Sequence, residues 1–328
     1  MAKFILVTPA RLGDTIFITP AIRLLKTIFP EAEIDLIALS TLAAEVFQGN
    51  PYVHCLFLNP TVEELKSRQD DYDYKINIHH SEKAKEYLSI FNAKELVYRL
   101  KDSGEKKHRA EQLLLFIAEA FGYSLNHFKP HYDLFPNADH RLAIESLLSK
   151  NQANASEPLL VGFHLGCHGL AKKHSRFWRR FSHEKAWPVK NFIQLAEKLQ
   201  RNNAHISFVL TGSKEELFLG EEFCKKVSNT INFIDKISIL ELTSLMCYLK
   251  LFVTNDTGAL HVACATEVNL IALFGPSDST LHGPFPEREQ LVKLQKNPIK
   301  KIKVDEVYSS LRKLLELSSE NKSDIMTS

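Results

Sequence analysis

Two stretches of the chain place acidic, hydroxyl and amide side chains where an apolar strand pattern gives way to a helix. The later one is Asn255-Asp256-Thr257-Gly258-Ala259-Leu260-His261. Leu251, Phe252 and Val253 before it have the content of a buried strand, and Asn255, Asp256 or Thr257 can each cap a helix carrying Leu260, Val262 and Ala263. Such a helix start gathers unpaired N–H groups and the positive end of the helix dipole, which suits a phosphate or a polyhydroxylated ligand. An ordinary helix cap would use the same residues. The earlier stretch is Arg11-Leu12-Gly13-Asp14, after the apolar residues 4–7. Asp14 at the carboxyl edge of a strand is a candidate general base, or alternatively a helix N-cap.

Further polar groups recur at the same kind of position. His79-His80-Ser81 closes the strand pattern at 74–78. Adjacent strand residues point to opposite faces, so a shared metal is not expected; either histidine is a candidate substrate contact and one is expected to be structural. Lys185-Ala186-Trp187-Pro188 precedes a helical pattern through Phe192, Leu195 and Leu199, which makes Lys185 a phosphate clamp or a solvated loop lysine. Thr211-Gly212-Ser213-Lys214-Glu215-Glu216 follows the strand pattern at 206–210 and offers acids for sugar hydroxyls. The turn His164-Leu165-Gly166-Cys167-His168-Gly169 fits neither the P-loop nor the dinucleotide fingerprint. The charge-dense segment at 101–109 reads as solvated surface whose cations could meet an anionic acceptor, and 172–180 reads as a basic and aromatic loop.

The elements that must carry these residues alternate as strand and helix. Strand patterns at 34–39, 53–58 and 74–78 are separated by helical ones at 42–47 and 62–66, with helices at 82–91 and 110–121 after them. The rhythm implies a parallel sheet covered on both faces. A polar, proline-ended stretch at 151–158 is the expected boundary, with residues 1–150 before it. After it come strands at 159–163, 206–210, 231–234 and 251–253, then a last strand at 268–274. A final amphipathic helix through Val304, Val307, Leu311 and Leu314 completes a second domain over 151–317, and the polar tail 318–328 is expected to be disordered. Two Rossmann-like domains facing a cleft are thus expected, with the site in the cleft.

At 328 residues, 45% hydrophobic and 24% charged, with a formal net charge of +2, the composition carries no charge excess that would call for nucleic acid. Five scattered cysteines without a C-x-x-C pair point to reduced, mostly buried thiols. The N-terminus lacks a signal-peptide pattern, and no apolar run approaches the roughly 18 residues of a membrane span. A cytoplasmic protein is expected, able to work peripherally at the inner face of a membrane.

Taken together and in order, Arg11-Leu12-Gly13-Asp14 with Thr19-Pro20-Ala21, Lys185-Ala186-Trp187-Pro188, Asn255-Asp256-Thr257-Gly258 with His261, and Phe274-Gly275-Pro276-Ser277-Asp278 resemble glycosyltransferase family 9, the ADP-heptose:lipopolysaccharide heptosyltransferases. The resemblance implies a GT-B architecture with the acceptor on the N-terminal side and the nucleotide sugar on the C-terminal side. It implies metal-independent, inverting transfer of heptose from ADP-heptose to an anionic lipopolysaccharide core acceptor. Asp14 then matches the base, Lys185 the donor-phosphate lysine and Asp256 the acid on the donor sugar. Thr257 and Gly258 match the diphosphate-facing helix start, and Glu215, beside Thr211 and Gly212, the acid near the nucleoside. Arg11, Gly13, His79 and His80 are the acceptor-side candidates, while His261, one turn into its helix, is expected to support the donor loop. Leu165, where the family usually has proline, and the basic loop 172–180 depart from the pattern and leave open another nucleotide sugar or a non-catalytic binding homologue.

Overall fold

The computed structural model describes residues 1–79, 81–98, 106–151, 158–167, 184–203 and 205–325, with side chains to Leu315. The chain divides into two compact units, Met1–Asn137 and Ala138–Ser328.

In the first unit β1 (Lys3–Val7) leads through α1 (Leu12–Ile16) and α2 (Thr19–Ile28) to β2 (Glu33–Ala38), α3 (Thr41–Phe47), β3 (Cys55–Leu58) and α4 (Val62–Lys66). Then come β4 (Tyr74–Asn77), α5 (Glu82–Ser89), β5 (Lys94–Val97) and α6 (Arg109–Ala120). The strands lie in the order β3-β2-β1-β4-β5, and each neighbouring pair is parallel. Successive side chains on β1 serve opposite faces. Ile5 and Val7 pack with Ala84, Tyr87, Leu88 and Phe91. Phe4 meets Phe29, Tyr74 and Phe121 at ring distances of 5.5, 5.1 and 5.9 Å. Pro20 sits in the first turn of α2, where its missing N–H costs nothing, so the chain breaks between α1 and α2 instead of kinking one helix. Ser40, Thr61 and Ser81 cap α3, α4 and α5, each accepting from the backbone N–H three residues on.

In the second unit α7 (Ala138–Asn151) precedes β6 (Leu159–His164), α8 (Val189–Asn202), β7 (Ile206–Thr211), α9 (Leu217–Cys224), β8 (Thr230–Asn232) and α10 (Ile239–Met246). The chain continues through β9 (Leu251–Asn255), α11 (Gly258–Cys264), β10 (Leu270–Phe274), α12 (Ser279–His282), β11 (Leu291–Gln295) and α13 (Val304–Ile325). The parallel order is β11-β10-β9-β6-β7-β8. All residues of β9 and β10 are buried, as expected of strands covered on both faces. Val307, Leu311 and Leu314 of α13 join the same core as Phe192, Leu195 and Leu199 of α8.

Several expectations change. The helix 138–151, assigned to the first domain by a boundary at 150, belongs to the second unit, because Ile144 and Leu148 are buried and the Tyr248 hydroxyl donates to Glu145 at 2.7 Å. The strand at 268–274 is not the last: β11 extends the sheet beyond it, half-exposed at an edge. β5, polar and exposed at the opposite edge of the first sheet, was not foreseen either. The backbone is helical through Ile325, so α13 takes up most of the expected tail. The thiols are not mostly buried: Cys167 and Cys264 are, while Cys224 and Cys247 are exposed. Among the described residues no helix is long and apolar enough to cross a membrane.

Candidate active site

Each sheet reverses its strand order at one point, between β1 and β4 in the first and between β6 and β9 in the second. Loops leaving the carboxyl ends of such a pair part in opposite directions and leave a crevice, the usual ligand position in open α/β sheets. Asp14 follows β1 and His79 follows β4; Leu165 and Gly166 follow β6, and Asp256 and Thr257 follow β9. Asp14, His79, Asp256 and Thr257 thus follow strands of the two switch points, whereas Thr211, Gly212 and Glu215 lie at the end of the neighbouring β7 and His261 within α11. His80 and the loop 172–180 lie outside the described residues.

In the first unit Arg11, not Asp14, is the N-cap of α1, so Asp14 is not spent on capping. It stands half-buried in the first turn, and its carboxylate accepts no hydrogen bond among the described residues. The short helix is held by Thr15, whose hydroxyl is 2.9 Å from the carbonyls of both Pro9 and Arg11. Gly13 and His79 are half-buried and Arg11 is exposed.

The second site is built around Asn255, fully buried at the end of β9. Its Oδ1 accepts from the Trp187 backbone N–H at 2.9 Å, and its Nδ2 donates to the carbonyls of Leu165 and Gly166 at 3.1 and 3.0 Å. One amide thus ties the loop after β6 and the loop before α8 to β9. Trp187 is itself buried and donates its indole N–H to the Ile302 carbonyl at 2.9 Å. On the far side Gly275 lies so close to the Glu184 carbonyl that a Cβ would collide with it. Between these two anchors Lys185 reaches Asp256, Nζ to Oδ2 at 2.9 Å, with the lysine side chain 44% and the aspartate 9% exposed. The lysine expected near the start of α8 is thus directed to the aspartate after β9.

Thr257 caps α11 without a side-chain cap bond, leaving its hydroxyl near that of Thr254 at 3.4 Å. Thr257 and Gly258 remain half-buried beside Asp256. His261 is 3% exposed, in keeping with a supporting place inside the helix packing.

At the ends of β6 and β7 the arrangement differs from expectation. Glu215 is exposed, whereas its neighbour Glu216 is buried. The Glu216 carboxylate takes the Ser213 N–H at 2.6 Å and lies 3.4 Å from His164 Nε2. Burial alone would raise its pKa, but the charge and hydrogen bond of His164, with the Ser213 donors, outweigh that and hold it below the ordinary glutamate value. Thr211 is buried, its hydroxyl 3.1 Å from His164 Nδ1. A Cβ at Gly166 or Gly212 would run into the Glu216 side chain, so both turns need glycine. Thr211 and Gly212 therefore frame the site through Glu216. The sequence did hold a signal for Glu216: Ser213-x-x-Glu216 is the spacing of a capping box, which the structure forms, and it puts Glu216 and not Glu215 back on the Ser213 N–H.

Among the described residues no group of three or more His, Cys, Asp or Glu side chains is arranged to hold a metal ion. Among the described residues the cation beside Asp256 is Lys185.

A sequence model of the family described as glycosyltransferase family 9 (heptosyltransferase) matches residues 172–311, the segment from the loop before α8 into α13. Over this segment the chain is similar to glycosyltransferase family 9. A relative that matches over nearly its whole length is lipooligosaccharide heptosyltransferase 2 of Haemophilus influenzae, 24% identical over a 341-position alignment that covers 92% of this chain and 91% of the relative. A family 9 glycosyltransferase structure from Veillonella parvula superposes with a TM-score of 0.81 at 18% identity, covering 96% and 97% of the two chains. The structure of E. coli ADP-heptose LPS heptosyltransferase II gives 0.77 at 19% identity, covering 97% and 99%. The fold is accordingly the GT-B type of this family, and the chain is a glycosyltransferase.

Proposed function

We propose that this glycosyltransferase moves a heptose, with inversion, from ADP-heptose to a lipopolysaccharide core acceptor. The observation that carries the reading is the Lys185–Asp256 pair beside the start of α11, a cation and an acid side by side at a sheet switch point. Relatives named as heptosyltransferases that match over most of the chain support the same donor.

In this mechanism Asp14 removes the proton of the acceptor hydroxyl as that oxygen attacks the anomeric carbon. The bond to the diphosphate breaks from the opposite face, and negative charge grows on the departing phosphate oxygens. Lys185 and the N–H groups at Thr257 and Gly258 stabilise that charge, while Asp256 accepts hydrogen bonds from the sugar. Glu215 is the proposed partner of the nucleoside hydroxyls, and Arg11, Gly13, His79 and His80 are the proposed acceptor contacts. The lysine and helix start take the electrostatic role a metal would fill, so the reaction is proposed to be metal-independent and insensitive to chelator. The work is proposed to occur in the cytoplasm, at the inner membrane surface where a lipid-linked acceptor presents its core.

The test is ADP release from ADP-heptose with a heptose-deficient core acceptor, run beside a panel of other nucleotide sugars and with a chelator present. Transfer confined to ADP-heptose supports the reading. Preference for another nucleotide sugar, or tight donor binding without turnover on every acceptor, overturns it.

A further inference from the structure

The two groups proposed to hold the donor hold each other. Lys185 Nζ lies 2.9 Å from Asp256 Oδ2, while Asp256 Oδ1 accepts no hydrogen bond among the described residues. The lysine is 44% exposed and the aspartate 9%, so an incoming anion meets the lysine first and the aspartate carries most of the desolvation. The pair is also built in. The Lys185 loop is anchored on one side by Glu184 against Gly275 and on the other by Trp187 on Asn255. A backbone fixed at both ends keeps the root of the lysine side chain in place.

We propose that Asp256 competes with the donor diphosphate for Lys185, so that the ion pair and diphosphate binding exclude one another and re-formation of the pair helps expel the nucleoside diphosphate product. This rests on the donor reading above and adds a specificity role to Asp256. A diphosphate that draws Lys185 away leaves a largely buried carboxylate without its cation and beside a new anion, both unfavourable. The intact donor offsets this by giving Asp256 sugar hydroxyls to accept from. The product cannot, because its sugar has left. Asp256 therefore favours donor over product, and a group that binds substrate also speeds release of the leaving group.

The consequence runs against the usual expectation for a binding residue: removing the charge of Asp256 tightens product binding. Isothermal titration of ADP and of ADP-heptose into the intact wild-type chain, Asp256→Asn, Lys185→Met and the double variant reads it directly. Asp256→Asn is expected to bind ADP about five- to tenfold more tightly and to lose the preference for ADP-heptose over ADP. In the Lys185→Met background the same change should leave ADP affinity within about twofold, because the group being competed for is gone. Product inhibition by ADP in Asp256→Asn turnover should deepen in step.

Unchanged or weaker ADP binding by a folded Asp256→Asn protein overturns the competition. So does equal tightening with and without Lys185, which would mark simple charge repulsion in place of exchange. If Asp256→Asn lowers the melting temperature too far to titrate, Asp256→Ser, shorter and neutral, must show the same tightening. A wild-type chain that binds neither ADP nor ADP-heptose removes the donor reading itself, an outcome separate from both.

Discussion

Gly275, just past the end of β10, stands against the Glu184 carbonyl with no room for a Cβ between them. The contact is backbone against backbone, so neither side has a rotamer to give. Because Glu184 is the residue before Lys185, this contact sets how far the lysine reaches toward Asp256. Gly275→Ala is expected to cost about 1–3 kcal/mol of stability, as overpacking does, and to raise the donor KM more than tenfold. Urea denaturation and steady-state kinetics with the donor varied check both. An unchanged KM with full stability would contradict the positioning.

Asn255→Ala removes the acceptor for the Trp187 N–H and the donor for the Leu165 and Gly166 carbonyls in a fully buried place. Stranded buried polar groups cost roughly 1–3 kcal/mol each, so a total loss of about 3 kcal/mol is expected in chemical denaturation. The variant should also lose donor affinity, since two loops of the site hang on this one amide.

Asp14→Asn is expected to lower kcat by about a hundredfold or more while leaving ADP affinity and melting temperature unchanged. The reason for the separation is structural: the Asp14 carboxylate bonds to nothing among the described residues, and the cap of α1 is Arg11. Single-turnover transfer, calorimetry and thermal unfolding on the same preparation decide it.

Glu216→Gln should show a pH-dependent loss of stability. The folded-state pKa of Glu216 is depressed, so its ionised form contributes stability above the ordinary glutamate value, and that contribution is lost as pH falls through the folded value. The gap in urea midpoint between wild type and Glu216→Gln is therefore expected to be full near neutral pH and to narrow below about 4.3. A gap constant from about pH 7 to pH 3 would show that the carboxylate charge contributes nothing.

Much of this molecule was legible in the chain because its signals are local. Apolar strands such as 251–253 ending in Asn, Asp and Thr, and a Pro in the first turn of α2, announce their elements within a few residues. A strand buried on both faces is apolar throughout, which also explains why β5 and β11 escaped notice: edge strands with exposed faces carry ordinary surface residues. Residues at strand ends and helix starts, Asp14, Lys185 and Asp256 among them, stand out because a helix start beside a polar turn has a recognisable composition. What needed the tertiary structure was every relation between distant segments. The strand order put the switch point between β6 and β9, bringing the Leu165 loop beside Asp256. Only packing placed His164 against Glu216, set α7 with the second unit, laid Glu184 on Gly275 and turned Lys185 toward Asp256. Such contacts join residues far apart in the chain, Tyr248 and Glu145 by 103 positions and Lys185 and Asp256 by 71. Sequence spacing carries no information about them, because they exist only once the sheet has decided which loops are neighbours.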